Sequence, residues 1–296
     1  MSITYILNCI YLVSAMNNMN IGVIVDNEFN NDIRVRNEVS ILQKNGYNIH
    51  VLCFSFSNEE YNDIDGVNIF RIKIKKSSKN LLFFLFNRFL GYERLWKKNI
   101  AEFINRNSID ILHVHDLYMS KAAKLGVEST KQDIPVILDL HENYPAAIQS
   151  YNWTKGTIRG FISNPKAWIK KEAEYLGYAS KLIVLSDFFK KNLLNNYNFL
   201  DEKNILSFPN VVDIRRFEKF EIDNSIKRSS EVTLLYFGVV AERRGIFNLL
   251  DAFLTVVSKG VNIELLIIGP VDKSDRKSFF QEIDSLESKN RINYIP

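Results

Sequence analysis

The chain of 296 residues has only two cysteines, Cys9 and Cys53, with no CxxC and no metal-ligand spacing. That argues against a disulfide framework or a zinc site, and both read as small buried hydrophobes in a reducing cytosol. No apolar run approaches the roughly 20 residues of a spanning helix. The stretch from Ile3 to Ala15 is apolar, but Asn8 interrupts it and no basic residue precedes it, so it lacks the positive start of a signal peptide. A strand signal begins just after Met19. The expected true start is therefore Met16 or Met19, with a membrane-touching extension over residues 1–18 as the alternative. There are no solenoid-period repeats and no low-complexity tract. Neither the Gly-Lys-Ser/Thr of a phosphate loop nor the G-x-G-x-x-G of NAD enzymes occurs. None of the usual nucleic-acid-binding motifs is present.

Acidic residues are also missing from one stretch. Between Arg71 and Lys98 the bases are Arg71, Lys73, Lys75, Lys76, Lys79, Arg88, Arg94, Lys97 and Lys98, and the single acid is Glu93. The formal net charge of the chain is +4, so the remainder is net negative. Basicity this local points to one anionic contact surface and away from nucleic acid. From Leu81 to Ile104, Leu82, Phe86, Phe89, Trp96, Ile100 and Phe103 keep helical spacing and mark a core face. Phe84 and Leu95 fall opposite, near Arg88 and Lys98, with Gly91 a point of interruption. Bases beside aromatics over 71–98 suit an anionic membrane surface. A solvated basic face over an ordinary core helix fits the same pattern.

What is present in quantity is alternation of strand and helix. Strands are expected at Ile21–Val25, Ile49–Phe54, Val67–Ile72, Ile109–Val114, Val136–Leu140, Leu182–Leu185, Val232–Phe237 and Glu264–Ile268. Most are continuous apolar runs, as parallel strands buried on both faces require. Helices are expected at Ile33–Lys44, Leu81–Ile104, Trp168–Leu176, Phe188–Leu194, Gly245–Val257 and Arg276–Leu286. Such alternation means βαβ units and a doubly wound α/β sheet. Around Phe208–Ser230 the pattern lapses, opening with Pro209-Asn210, which reads as an interdomain linker. The expected organisation is an extension over 1–18, a first Rossmann-like domain over 19–208, a linker over 209–230 and a second such domain over 231–296. The second half ends mid-pattern and reads as unfinished.

Ligands of such sheets bind beyond the carboxyl ends of the strands. After the first strand comes a polar loop holding Asp26, Asn31, Asp32 and Arg34, which reads either as a site wall or as a helix cap with a solvated face. The strand Ile109–Val114 ends in His113, His115 and Asp116; strand alternation puts the two histidines on one face, but no third ligand is evident, so no metal is expected. His141 and Glu142 stand at the end of Val136–Leu140, where an imidazole is placed either for proton transfer near neutrality or to cap the next helix. In the second half, Gly238, Arg243, Arg244 and Gly245 combine a turn, two guanidinium groups and a helix N-terminus, an anion site suited to a diphosphate.

Asp26…Asp32-x-Arg34-Val35, His115-Asp116, Asp139-x-His141-Glu142, Pro209-Asn210-Val211-Val212-Asp213 and Gly238…Arg244-Gly245 come in one order. In that order they resemble the retaining, GT-B-fold glycosyltransferases of family 4 that build bacterial polysaccharides, over Met19 to the end of the chain. The resemblance implies two Rossmann-like domains, the first taking a glycan or lipid-linked acceptor and the second a nucleotide-sugar donor. It makes His141 the histidine that meets the donor sugar and Arg244 the base that pairs with the diphosphate. It puts Asn210 and Asp213 in the segment entering the linker. Transfer would proceed with retention and without a metal or other cofactor, in the cytoplasm or at the inner face of the membrane. Two departures stand out. Val239 occupies a position that is often basic, and the Glu-x7-Glu that grips the donor is not reached before Pro296. The other readings are a non-catalytic remnant or acceptor-domain subunit, and a sugar-nucleotide epimerase of the same architecture.

Overall fold

The computed structural model describes residues 19–56, 64–211, 218, 220–221, 232–286 and 291–296. The expected extension over 1–18 and most of the expected linker lie outside the described residues. The chain divides into two compact units, residues 1–213 and 214–296.

The first unit is built on seven parallel strands: β1 (Asn20–Val25), β2 (Asn48–Ser55), β3 (Asn68–Lys73), β4 (Ile111–His115), β5 (Val136–Leu140), β6 (Lys181–Val184) and β7 (Ile205–Ser207). Their order across the sheet is β3-β2-β1-β4-β5-β6-β7. The central strands are buried along almost their whole length, which is why they read as unbroken apolar runs. Alternation sends Ile21, Val23 and Val25 to one face, packed on α1 (Ile33–Lys44) through Val35, Val39 and Leu42. Ile24, Leu112 and Val114 go to the other face.

That second face carries α2 (Lys76–Phe84), α3 (Gly91–Asn107), α4 (Ser120–Thr130), α5 (Tyr144–Ser150), α7 (Ala167–Leu176) and α8 (Asp187–Asn196), while α6 (Thr157–Ser163) is held outside the core by Asn87 and Arg88, which donate to its carbonyls. Gly22 lets α3 lie close, because a Cβ there would meet the Phe103 ring at 2.8 Å. The helical stretch expected over Leu81–Ile104, with Gly91 as its point of interruption, is broken there. The stretch forms α2 and α3, separated by turns before Gly91. In that break Phe86 turns into the core against Tyr92 and Trp168, while Phe89, expected on the core face, is 53% exposed.

The second unit has β8 (Val232–Phe237), β9 (Ile263–Ile268) and β10 (Ile292–Ile295), parallel in the order β10-β9-β8, with α9 (Ile246–Ser258) and α10 (Arg276–Ser285). Its core is Val240, Ile246, Leu250, Phe253, Leu265, Ile267 and Phe279. Three strands are described where such a sheet ordinarily has five or six. On β8, Leu235 and Phe237 are exposed.

Candidate functional site

Strand order reverses direction between β1 and β4. The chain leaves β1 toward α1 on one face and leaves β4 toward α4 on the other. Loops diverging in this way open a crevice at the carboxyl edge of the sheet. Here the crevice is a polar cleft of about 340 Å³ whose walls include Asp26, Asp32, Arg34, Lys79, His115, Asp116, Tyr118 and His141.

Asp26 directly follows β1 and is buried. Its Oδ2 lies 3.2 Å from Lys79 Nζ, and the Tyr92 hydroxyl donates to its Oδ1. Burial pushes this carboxyl upward, and the Lys79 charge opposes the push. Asp32 caps α1, accepting from the backbone N–H groups of Arg34 and Val35 at 3.2 and 3.3 Å, and pairs with the Arg34 guanidinium at 3.2 Å. Capping and cleft wall were alternatives in the sequence; Asp32 does both.

Asp116 follows β4 with φ 71, a conformation that costs an L-residue and clusters at functional sites. Its N–H donates to the Asp139 carbonyl at 2.9 Å, and the Tyr118 hydroxyl donates to its Oδ2 at 3.1 Å. Burial, then the negative charge of Asp26, pushes Asp116 up to about 7. The folded chain thus holds a proton that an unfolded chain releases near pH 4. This group's contribution therefore weakens as pH rises from about 4 to about 7 and is level above that window. Asp116→Asn keeps a residue that tolerates positive φ and removes the titration. Its unfolding temperature should exceed the wild-type value at pH 8, with the gap closing toward pH 4; a gap independent of pH would assign the effect to another cause.

His115 and His141 end neighbouring strands. Their rings are within 7° of coplanar, with centroids 5.0 Å apart, and His115 Nδ1 lies 2.8 Å from His141 Nε2. This is an in-plane hydrogen bond, with one proton between the two nitrogens. Burial lowers the affinity of both imidazoles for a further proton; at His115 the neighbouring His113 and His141 add to the lowering.

Two residues assigned to the cleft by sequence are placed elsewhere. Asn31 is exposed and its amide donates to Glu28 Oε2 at 3.0 Å, while Glu28 Oε1 accepts from the Phe56 N–H at 2.9 Å. Asn31 therefore pins the loop to the end of β2. Glu142 accepts from the Tyr151 hydroxyl at 2.9 Å and is not part of the cleft wall. Asn210 is exposed, and Asp213 lies outside the described residues. In the second unit Gly238 has φ 137, and Arg244 Nη1 comes 4.0 Å from where a side chain on Gly238 would begin. Arg243 and Arg244 are exposed, and Gly245, with φ 77, caps α9. The second-unit residues named from sequence are thus gathered at one turn.

The structure also assembles a group that sequence spacing left incomplete. Asp139 pairs in register with His115, and Glu38 of α1 lies over both. With His113 they bring four ligand atoms within 4.8 Å of one another. The legible signal was Glu38, an acid inside the apolar stripe of Val35, Val39 and Leu42. Lys79 and Tyr118 were missed for a different reason: nothing local marks them, and Lys79 read as one base of a surface run.

The model of the Glycosyltransferase Family 4 matches residues 33–216, more than half of the chain. The chain belongs to glycosyltransferase family 4. A curated relative, the capsular polysaccharide biosynthesis glycosyltransferase CapM of Staphylococcus aureus, is 29% identical over 124 residues; the match covers 39% of this chain and 32% of that protein. Among solved structures, the apo lipopolysaccharide outer core galactosyltransferase WaaB superposes with TM-score 0.59 at 15% identity, over 93% of this chain and 67% of that one. Sucrose-phosphate synthase from Thermosynechococcus elongatus gives 0.65 at 13%, over 94% and 70%. At these identities the likeness is one of fold, and the fold of this family 4 chain is GT-B. No helix among the described residues is long and apolar enough to cross a membrane.

Proposed function

We propose that this family 4 chain transfers a sugar from a nucleotide-sugar donor to a glycan or lipid-linked acceptor, with retention at the anomeric carbon, in the building of cell-surface polysaccharide. The observation that carries the reading is the polar cleft at the switch point of a family 4 domain, where Asp26, Asp32, Arg34, Asp116 and His141 converge. Its fixed charges and hydrogen-bonding groups are suited to orienting sugar hydroxyls, and positioning is a large part of what group transfer needs. The printed role of the CapM relative supports the same direction. In the second unit the Arg243–Arg244 turn and the start of α9 offer positive charge to a departing diphosphate.

The test is acceptor-dependent release of nucleoside diphosphate from a panel of nucleotide sugars, with product anomers read by NMR. Arg244→Ala should lower turnover about 10²–10³-fold without changing the unfolding temperature. Conversion of donor without acceptor would replace the reading with an epimerase, and wild-type rates in Arg244→Ala would remove the arginine from the mechanism.

Contact with an anionic membrane through residues 71–98 forms part of the proposal in a reduced form. Lys76 and Lys79 line the cleft, which leaves Lys73, Lys75, Arg88, Arg94, Lys97 and Lys98 as the exposed bases of the segment, with Arg71 half-buried. Arg88 stacks 4.4 Å over the exposed Phe161 ring, and Ile158 stands exposed on the same helix α6. Such a patch would hold the protein at the cytoplasmic face, each base contributing about 1 kcal/mol. Flotation with phosphatidylserine vesicles at low salt should carry the wild type and not Arg88→Glu/Phe161→Glu; no flotation of wild type ends the idea.

A further inference from the structure

Behind the cleft, on the face covered by α1, the two carboxylates Glu38 and Asp139 and the two imidazoles His113 and His115 point at one another. His113 Nε2 is 3.8 Å from Glu38 Oε2 and 3.6 Å from Asp139 Oδ2, and His115 Nε2 is 3.8 Å from Glu38 Oε2. These separations are too long for hydrogen bonds. Glu38 Oε2, His113 Nε2 and His115 Nε2 are each buried with no hydrogen-bond partner. Buried polar atoms are rarely left so, and here they all face a common centre.

From this geometry we infer that Glu38, His113, His115 and Asp139 form a divalent-metal site of the zinc type. A tetrahedral zinc ion bound by nitrogen and oxygen at about 2.0–2.2 Å sets its ligand atoms about 3.4 Å apart. Three of the six ligand-atom separations are 3.6 to 3.8 Å, a few tenths of an ångström above that, and the four residues bring their ligand atoms within 4.8 Å of one another. Two carboxylates and two neutral imidazoles around a dication sum to zero charge, which suits burial. A site of two nitrogens and two oxygens also matches zinc better than the six or more oxygens that calcium or magnesium takes.

The surroundings have the form of a built site. A cavity of about 40 Å³ beside Glu38, His113 and Asp139 is walled by Ile41, Ile111 and Ile137, which give the group an apolar surrounding. His115 presents Nε2 to the centre, while its Nδ1 is held 2.8 Å from His141 Nε2. An outer hydrogen bond of this kind fixes the tautomer of a metal-bound imidazole. With the metal on Nε2, His115 keeps its proton on Nδ1 and donates it to His141 Nε2. The metal would thereby set which nitrogen of the cleft histidine is protonated, without touching substrate. The inference does not depend on the transfer reaction, because the four residues and their test stand whether or not the chain moves a sugar.

The experiment uses the full chain, stripped with chelator and titrated with zinc chloride against a chromophoric competitor, and in parallel with cobalt chloride. The expected result is one equivalent of either metal, with the intense visible bands of four-coordinate cobalt and a zinc-dependent rise in unfolding temperature. Glu38→Gln and His113→Gln should each abolish the cobalt bands. His141→Phe, which removes only the outer hydrogen bond, should weaken zinc binding about tenfold. X-ray absorption of the zinc-loaded wild type should show nitrogen and oxygen ligands with the scattering of two imidazoles, a readout that survives if a variant fails to fold. A folded wild type that takes up neither metal overturns the inference, and so does zinc uptake unchanged in both ligand variants or absorption without two imidazoles.

Discussion

Lys79→Met should destabilise the first unit by about 3–5 kcal/mol, the usual effect of removing one member of a buried ion pair. The loss comes less from the missing attraction than from Asp26, whose side chain is 2% exposed and would keep a charge with no compensating cation. The deficit must therefore depend on pH. Burial already raises the Asp26 carboxyl and Lys79 opposes that shift, so removing the lysine raises it further. A folded-state pKa above the unfolded one means a penalty that is absent in acid and grows as pH rises. Urea unfolding should show wild-type-like stability near pH 4 and the full deficit at pH 8. Asp26→Asn in the Lys79→Met background should restore most of the loss. All three tryptophans, Trp96, Trp153 and Trp168, lie in the first unit, so fluorescence reports this unfolding without interference from the second. A deficit equal at both pH values would show that the lysine acts through its cation–π contact with the Phe83 ring, 5.0 Å from Nζ to the centroid.

The other large effect concerns turnover. On the proposed reaction, His141→Ala should lower kcat about 10²–10⁴-fold, the range for a positioned imidazole, with KM for the donor changed far less. Burial depresses its protonation, so the wild-type imidazole stays neutral to lower pH than an ordinary histidine. The acid limb of the kcat/KM profile should then fall below the ordinary histidine range of about 6.5. His115→Asn should move that limb, because the hydrogen bond from His115 helps set the protonation of His141. An acid limb unchanged in His115→Asn would disconnect the pair from turnover.

Much of this was open to reading from the chain alone, and the division follows physical lines. Strands buried on both faces announce themselves as apolar runs, so β1, β2, β4 and β5 were found near their true bounds. Strand ends in a parallel sheet point to one edge, so Asp26, Asp32, Arg34, His115, Asp116 and His141 could be named together before any contact was known. Asn31 and Glu142 share those loops but turn away, because each finds a hydrogen-bond partner of its own in Glu28 and Tyr151. A loop position does not carry that choice. Glu38 stood out only as an acid inside an apolar stripe, and Lys79 not at all, for a related reason. Their roles depend on which helix crosses which strand, and a helix that breaks at Gly91 instead of running on from Leu81 redirects the whole basic segment.

The pairing of β4 with β5 sets His115 beside Asp139, and His141 stands just past the end of β5. A slip of one residue along that ladder would turn Asp139 and His141 to the opposite face together. It would leave helix content nearly intact while turning Val136, Leu138 and Leu140 away from the main core. Refolded preparations that match the native protein by circular dichroism can thus still differ in strand alignment. The His115–His141 proton, visible as a downfield resonance in NMR, would serve as a direct check that the sheet has assembled in its proper register.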